Sequence, residues 1–249
     1  MITIKSPSEI QIMADGGAKL GRVKNALAAA VKKGVSALDI ENLAMKLIKE
    51  EGAEPSFTKE HGYYWATCVN INEGIVHGIP TADVVFEDGD IVSIDVGIYY
   101  KGFHTDPSVT VGVNPTSETK KFLNTGILAL QKAIKAAKEG NHIYDISKAI
   151  EDTIEAEGYT TIKALVGHGV GKSLHEDPQI PCFVPERIED SPAIKKGMTL
   201  AVEVMYAEGG DKVEILEDGW TIAMQDGKMS GLFEETVAIT DEGNKVLTR

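Results

Sequence analysis

KEGNHIYDISKAIEDTIEAEGYT (residues 138–160) repeats, without a gap, the pattern of KKGVSALDIENLAMKLIKEEGAE (residues 32–54). The offset is 106 residues throughout. Each copy has apolar residues at i, i+3 and i+4 spacing and a glycine just past its end, which is typical of an amphipathic helix. The residues that the copies share are Lys32/Lys138, Gly34/Gly140, Asp39/Asp145, Ile40/Ile146, Ile48/Ile154, Glu51/Glu157 and Gly52/Gly158. Because similar helices also arise by chance, the pair suggests a duplication and needs support from its surroundings.

The segments around the two copies agree with a duplication. Residues 6–9, Ser-Pro-Ser-Glu, form a capping box with proline at the first helical position, which predicts a long helix running toward Lys33. Residues 117–139 predict the matching long helix of the second half. A strand pattern follows each copy, at residues 89–100 and 197–207. The order of elements is therefore the same in both halves.

This order predicts two fused ααββ halves, roughly residues 1–110 and 111–249, within one domain that spans residues 1–249. No linker or low-complexity segment separates them. A chain of this length can bury a sizeable core.

Composition excludes several classes of function. The 25 Lys and Arg residues against 38 Asp and Glu residues give a net charge of −13, which argues against a general nucleic-acid binder, because such proteins need basic patches. We find no apolar run of membrane-spanning length and no signal-peptide pattern at the N-terminus. Two cysteines, Cys68 and Cys182, are too few for a disulfide framework. These features predict a cytoplasmic protein that acts on neither nucleic acid nor membranes.

Acidic residues stand inside apolar strands at related positions of the two halves. Asp95 and Glu203 lie 108 residues apart, in IVSIDVGI and AVEVMYA. Asp106 comes in or beside the next strand of the first half, and Glu234 or Glu235 in GLFEETVAIT takes the corresponding place in the second. A buried carboxylate is costly unless it is paired or binds a metal, and four carboxylates together would repel one another. We therefore expect divalent cations, and carboxylates with one imidazole suit Mn, Fe, Co or Zn.

The segment VGHGVGKSLHEDP, residues 166–178, offers the imidazole. Each of its alternate glycines would cost about 1 kcal/mol in a helix interior. They suit a backbone that bends sharply or that another part of the chain approaches closely. A phosphate loop would need glycine at Val166, and a dinucleotide fingerprint would need glycine at Lys172. His168 is then the predicted metal ligand, and His175, seven residues on, is left free to touch a substrate.

Five blocks of the sequence resemble the type I methionine aminopeptidases, a family with the pita-bread fold. The blocks occur in the expected order, at compatible spacing, and the resemblance covers nearly the whole chain. They are NINEGIVHGIP (70–80), DGDIVSIDV…GFHTDPS (88–108), GHGVGKSLHEDP (167–178), GMTLAVEVM (197–205) and GWTIAMQDGKMSGLFEETVAIT (219–240).

The resemblance implies an α+β, pita-bread fold, in which two pseudo-symmetric ααββ halves surround a curved, mostly antiparallel sheet with the helices on its outer face. It implies a single catalytic domain over residues 1–249 that removes the N-terminal methionine from nascent proteins and peptides. The expected cofactors are two divalent metal ions (Co, Mn, Fe or Zn) that activate a hydroxide. The expected partners are polypeptides with an N-terminal methionine, the ribosome is a further candidate, and the expected state is a monomer.

The same resemblance implies roles for the metal ligands. Asp106 and Glu234 would bridge two ions. Asp95 would hold one of these ions, and His168 with Glu203 would hold the other.

The resemblance also implies which residues face the substrate. Glu203 would carry a proton from water to the leaving amine, His175 would donate to the developing oxyanion, and His77 would steady the scissile amide. The residues placed near the right motifs to line an apolar slot for methionine are Tyr63, Cys68, Leu174 and Trp220.

Three residues depart from the family pattern. Val204 stands where proline is usual, and Pro107 stands where threonine is usual; a proline there removes a ladder donor and predicts a sheet edge or a bulge. Glu235 stands where histidine follows the last ligand. Because neighbouring strand residues point to opposite faces, only one of Glu234 and Glu235 can face the metals. Local alternation favours Glu235, and the motif register favours Glu234, which we follow. The apolar residues that share the face of Glu235 are Phe233, Val237 and Ile239.

Three alternatives remain at this stage. The first is an X-Pro aminopeptidase or dipeptidase of the same fold, although those enzymes usually carry a further N-terminal domain. The second is a non-catalytic, ribosome-associated protein on this scaffold, which would be expected to have lost metal ligands. The third is a nucleotide-binding protein, which the failed glycine motifs disfavour.

Overall fold

The computed structural model describes residues 1–185 and 187–249, and the elements in these ranges are four α-helices, two short 3-10 helices (Phe57–Lys59 and Ile188–Asp190) and fifteen strands. The helices are α1 (Pro7–Ala30), α2 (Ala37–Glu50), α3 (Ser117–Ala136) and α4 (Ile143–Ala156). The strands of the first half are β1 (Glu54–Pro55), β2 (Thr67–Ile71), β3 (Gly74–Val76), β4 (Ile91–Val96), β5 (Ile98–Tyr100), β6 (Phe103–Thr105) and β7 (Ser108–Gly112). The strands of the second half are β8 (Thr160–Thr161), β9 (Val166–Gly169), β10 (Glu176–Pro181), β11 (Thr199–Ala207), β12 (Val213–Ile215), β13 (Ile222–Met224), β14 (Ser230–Thr240) and β15 (Gly243–Val246).

The repeated segments are helices with the same boundaries relative to each other. Helix α4 begins and ends 106 residues after α2, which is the offset of the sequence repeat. At their N-termini, Asp39 accepts from the Ser36 amide at 2.9 Å and Asp145 accepts from the His142 amide at 2.7 Å. Such bonds satisfy amides that the first turn of a helix leaves unpaired. Both helices are followed by a glycine with positive φ, at Gly52 (68°) and Gly158 (81°).

Helix α1 begins at the predicted capping box and ends at Ala30, a little before the predicted limit. It contains glycines although each costs about 1 kcal/mol in a helix. The structure shows why, because a Cβ at Gly17 would lie 2.4 Å from the Leu247 carbonyl oxygen. A Cβ at Gly21 would meet the backbone of Arg249 at 2.8 Å. The glycines therefore let the C-terminal residues pack directly on α1.

Every ladder between the described strands is antiparallel. The larger sheet has the order β10-β9-β11-β14-β15, with β8 paired to β11, and three smaller sheets have the orders β2-β4-β7, β1-β5-β6 and β12-β13-β3. Helix α1 packs on β4–β7, and α3 packs on β7, β11 and β14. The predicted α+β class is confirmed. None of the helices in the described ranges is long and apolar enough to cross a bilayer.

The two predicted strand segments differ in one respect. Residues 197–207 give the continuous strand β11, whereas residues 89–100 give β4 and β5 with a break at Gly97. At this break the chain passes close to its neighbours, since a Cβ on Gly97 would lie 2.7 Å from the Ser56 Cβ. Pro107 lies between β6 and β7, and β7 is an edge strand in the sheet β2-β4-β7. An edge position agrees with the prediction made from Pro107, which has no N–H to donate to a ladder.

Candidate metal centre

The first-half acids come from β4 and from the junction after β6. Asp95 lies in β4 opposite Cys68 and Ser108 of the flanking strands. Asp106 lies in the gap between β6 and β7 and is 4% exposed. The pKa of Asp95 is raised well above its usual value, first by burial and then by Asp106 and Glu203 nearby. The chain therefore brings two carboxyl groups together at the same point of the interior.

The second-half acids lie opposite each other on two long strands. Glu203 of β11 and Glu234 of β14 are direct cross-strand partners, and both are buried. Burial and the neighbouring Asp106 raise the pKa of both carboxyl groups well above the usual value. Burial also raises the pKa of Asp106, to about 7. Buried carboxyl groups that lie close together resist ionisation, because burial and the neighbouring negative charges both disfavour the charged form.

His168 lies in β9 and reaches the same point. Its Nε2 is 3.5 Å from Oε1 of Glu203, and its Nδ1 is 2.8 Å from the Gly169 carbonyl oxygen. Because a carbonyl can only accept, Nδ1 carries the proton and Nε2 keeps a free lone pair in the neutral ring. Burial and the neighbouring His175 lower the pKa of His168 to about 4, so the ring is neutral near pH 7. A neutral imidazole held in this way is a suitable metal ligand.

The donor atoms of Asp106, His168 and Glu234 all lie within 4.8 Å of one another. Three buried carboxylate oxygens in the cluster have no hydrogen-bond partner: Oδ1 of Asp95, Oδ1 of Asp106 and Oε1 of Glu234. Buried oxygens of this kind are normally satisfied, so they need a counter-charge. Oxygen donors with one imidazole nitrogen fit divalent Mn, Fe, Co or Zn. The residues present therefore fit a metal site.

Glu234 and Glu235 have different surroundings in the structure. Glu234 lines the cavity described below. Glu235 points away, where Oε1 accepts from Lys24 at 2.7 Å and Oε2 accepts from Thr248 at 2.5 Å. Alternation does not distinguish the two glutamates, because β14 is buried on both faces and apolar side chains therefore do not mark one face.

A cavity of about 370 Å³ lies at this cluster. All eleven side chains proposed from the sequence line it: Tyr63, Cys68, His77, Asp95, Asp106, His168, Leu174, His175, Glu203, Trp220 and Glu234. Sequence reasoning missed Phe57, Glu60, His61, Val76, Ala164, Leu165, Val166 and Met205. Strand alternation could have found two of these, since Met205 and Val166 lie two residues from Glu203 and His168 and therefore share their faces.

The two histidines predicted to face a substrate, His77 and His175, line the cavity. The His175 ring lies 4.5 Å from that of His168, centroid to centroid. His77 follows β3 with a φ of 60°, and its ring lies 6.5 Å from that of Trp220. Burial lowers the pKa of His77, with a smaller effect from His175. A neutral ring keeps one N–H donor, so these side chains can offer hydrogen bonds without charge.

One end of the cavity is apolar. Phe57, Tyr63, Cys68 and Leu174 form a buried cluster against which Trp220 packs. The Tyr63 hydroxyl donates to the Thr67 carbonyl at 2.8 Å, and its ring meets that of Trp220 edge-on at 5.1 Å. The polar atom of Tyr63 is thus satisfied, and its ring is left to contact an apolar group.

The segment between the histidines is not helical, in agreement with its glycines. A Cβ at Gly167 would lie 2.7 Å from the Ala201 carbonyl oxygen, and one at Gly169 would lie 2.2 Å from that of Asp177. The glycines are therefore needed for close approach of β9 to its neighbours, which brings His168 to the cluster of buried acids.

The fold and the site together define a protein with a buried cavity that fits divalent metal ions. The family model "Metallopeptidase family M24" matches residues 11–241, and the chain belongs to this family. Within it, methionine aminopeptidase 1 of Bacillus subtilis is 40% identical over 100% of both chains, and the methionine aminopeptidase of Clostridium perfringens is 38% identical over 100% of this chain and 99% of its own.

Solved structures give the same grouping. The crystal structure of methionine aminopeptidase from Thermotoga maritima has a TM-score of 0.96 at 40% identity and covers 100% of both chains. The prolidase from Pyrococcus furiosus has a TM-score of 0.78 at 25% identity, covering 99% of this chain and 65% of its own. The pita-bread fold predicted from the sequence is thus confirmed.

Proposed function

We propose that this chain is a methionyl aminopeptidase that removes the N-terminal methionine from peptides and nascent proteins with the help of two divalent metal ions. The observation that carries the proposal is the set of buried, unpartnered carboxylate oxygens beside the free Nε2 of His168. The full-length similarity to methionine aminopeptidases supports the choice of substrate. The chemistry supplied by bound divalent ions is Lewis acidity, which acidifies water and polarises a carbonyl.

The positions of the side chains support the proposed division of the ligands. Asp106 and Glu234 are the acids whose donor atoms cluster with His168, which suits groups that serve both ions. The 3.5 Å between His168 and Glu203 supports a shared ion, and Asp95 would complete the other.

The remaining roles belong to proton transfer and orientation. Glu203 lines the cavity with Oε1 3.5 Å from Nε2 of His168, so its carboxylate would accept a proton from water and pass it to the leaving amine. His175 donates a ring N–H to the carbonyl oxygen as it becomes negative. His77 donates to the scissile amide and fixes its plane. All three line the cavity.

The apolar end of the cavity accounts for methionine. A flexible thioether side chain packs well against aromatic rings, and the cluster around Tyr63 and Trp220 offers such rings. The amino end of a peptide then lies toward the acids. The cytoplasmic location, the monomeric state and contact with the ribosome stay predictions.

Hydrolysis of Met-Ala-Ser tests the proposal. Purified protein is stripped with a chelator, and activity is measured before and after addition of Mn²⁺, Co²⁺ or Fe²⁺, with bound metal determined in parallel. We expect chelation to abolish release of methionine and metal to restore it, with two ions bound per chain. Full activity of metal-free protein would falsify the proposal.

A second candidate, an X-Pro peptidase, draws on the likeness to the prolidase structure. The same assay includes Ala-Pro peptides. Preferential cleavage of Ala-Pro over Met-Ala-Ser would favour this candidate, and the reverse preference supports methionine removal.

A further inference from the structure

Asp106 lacks the backbone pairing that fixes the other carboxylates. It falls between β6 and β7, and none of the ladders between described strands includes it. Pro107, the next residue, has no N–H to donate. A side chain supplies what the sheet does not: the Asp106 N–H donates to Oγ1 of Thr236 at 2.9 Å, and this hydroxyl donates to the Asp106 carbonyl at 2.8 Å. One hydroxyl thus satisfies both backbone groups of a predicted metal ligand.

Thr236 is itself held firmly. It is fully buried in β14, where it pairs with Ala201 of β11. Its N–H donates to Oγ1 of Thr248 at 3.0 Å, and its carbonyl accepts from the Leu247 N–H at 2.8 Å. The hydroxyl that holds Asp106 therefore stands on rigid backbone.

We propose that Thr236 is a positioning residue that sets the place of the Asp106 carboxylate relative to that of Glu234. This inference rests on the proposed function. Glu234 lies two residues before Thr236, so both side chains lie on the same face of β14. Thr236 thereby connects the backbone of Asp106 to β14, the strand that carries Glu234. Loss of the two hydrogen bonds frees the Asp106 backbone and weakens metal binding.

The structure provides a matched control on the same seam between the halves. Oγ1 of the buried Thr110 accepts from the Leu232 N–H at 3.0 Å and donates to the Leu232 carbonyl at 2.6 Å. Thr110 lies four residues after Asp106, and Leu232 lies four residues before Thr236. Leu232, however, is no ligand, and its strand is already paired with β11. Thr110 makes the same two bonds, and a further one with the Ser93 hydroxyl at 2.8 Å, without holding a ligand.

The experiment titrates Co²⁺ into metal-free Thr236→Val, Thr236→Ser, Thr110→Val and the unchanged protein by calorimetry, and records thermal unfolding of each. We expect Thr236→Val to bind the metal about 10–100-fold more weakly, as for other residues that orient ligands. Thr236→Ser keeps the hydroxyl and stays near the unchanged protein. Thr110→Val loses thermal stability to a similar extent but keeps its metal affinity.

Equal loss of affinity in Thr236→Val and Thr110→Val would overturn the inference, because both threonines would then only join the halves. Thr236→Ser binding as weakly as Thr236→Val would overturn it too. If Thr236→Val does not fold, Thr236→Cys, whose thiol is a weaker donor and acceptor, must give an intermediate affinity. If the unchanged protein fails to bind metal or to release methionine, the proposed function is refuted instead. Titration of the unchanged protein tests metal binding, and the peptide assay tests release of methionine.

Discussion

Glu234 and Glu235 are neighbours in β14 and are both buried, yet their surroundings are opposite. Oε1 of Glu234 has no partner, and nearby acids add to burial in raising its pKa. Glu235 is fully used: Lys24 donates to it at 2.7 Å, and Thr248 and Arg249 also donate to it. The difference teaches that burial alone does not single out a candidate ligand, and that a buried carboxylate oxygen without a partner is the more informative feature.

The first half repeats the contrast. Glu41 of α2 is buried but accepts from the Ala66 N–H at 2.8 Å, the Thr67 N–H at 2.9 Å and the Thr67 hydroxyl at 2.7 Å. Asp95, in the cavity, has an Oδ1 with no partner. Each half thus holds one acid that serves the structure and others left free for a cation.

Asp106→Asn should produce the largest loss, because this carboxylate is proposed to serve both ions. We expect kcat/KM for Met-Ala-Ser to fall by more than about 10³-fold, beyond the loss of a single oxyanion donor. Steady-state kinetics with metal analysis check this. Near-normal turnover of Asp106→Asn would contradict the proposal that buried acids without a hydrogen-bond partner are the metal ligands.

Substitution of the neighbouring glutamates tests the comparison directly. Glu234→Gln should lose bound metal and most activity, because an amide cannot replace a bridging carboxylate. Glu235→Gln should keep its metal and most of its kcat/KM. Metal content and kinetics of the two variants, measured together, decide between them; the opposite pattern would show that Glu235 is the ligand.

Stability should respond in the reverse order. Glu235→Gln leaves the Lys24 ammonium, whose side chain is 8% exposed, without its buried partner. Breaking a buried pair in this way typically costs about 3–5 kcal/mol of unfolding free energy. Denaturant unfolding of the metal-free variant measures this loss of unfolding free energy. The control is Lys33→Met, which breaks the exposed pair with Asp88 and should change the free energy little. An unchanged midpoint for Glu235→Gln would argue against a structural role for the pair.

The two histidines of the 166–178 segment should separate metal binding from turnover. His168→Ala should lose metal along with activity, because Nε2 is proposed as a ligand. His175→Ala should keep its metal and lose about 10²–10³-fold in kcat, as expected for one oxyanion donor. Bound metal and kcat of both variants are the measurements. Equal metal loss would mean that both rings are ligands.

The smallest effect concerns pH. In metal-free protein the pKa of Glu234 is higher in the folded state than in the unfolded state. The free energy of unfolding therefore falls as pH rises from the unfolded-state pKa toward the folded-state pKa, because the unfolded chain ionises first. Glu234→Gln removes this dependence. The variant should therefore gain stability relative to the unchanged protein as pH rises, as measured by unfolding midpoints between pH 4 and pH 8. A constant difference would contradict the raised pKa.

The sequence predicted much of this arrangement for physical reasons. The helices carry their signals locally, in caps and in apolar spacing, so α2 and α4 were predictable. Asp95, Glu203 and Glu234 lie in strands whose apolar runs contain acids, and they line one cavity together with the other proposed site residues.

Other features depend on the tertiary structure. The break at Gly97 comes from the approach of Ser56, and the direction of Glu235 comes from Lys24, which is 211 residues away in the chain. Phe57 carries no local mark that distinguishes a cavity wall from an ordinary core position. Division of the chain into two halves of a single domain stays a prediction.

The bond from Nδ1 of His168 to the Gly169 carbonyl has a consequence for mutational scanning. The main chain, and not a side chain, decides which ring nitrogen is available to a cation. No substitution at position 169 can delete that carbonyl, and any side chain there would meet the Asp177 carbonyl oxygen, so side-chain variants cannot isolate this contact. An ester linkage introduced between residues 169 and 170 would weaken the carbonyl as an acceptor, and it would reveal how far metal affinity depends on the backbone.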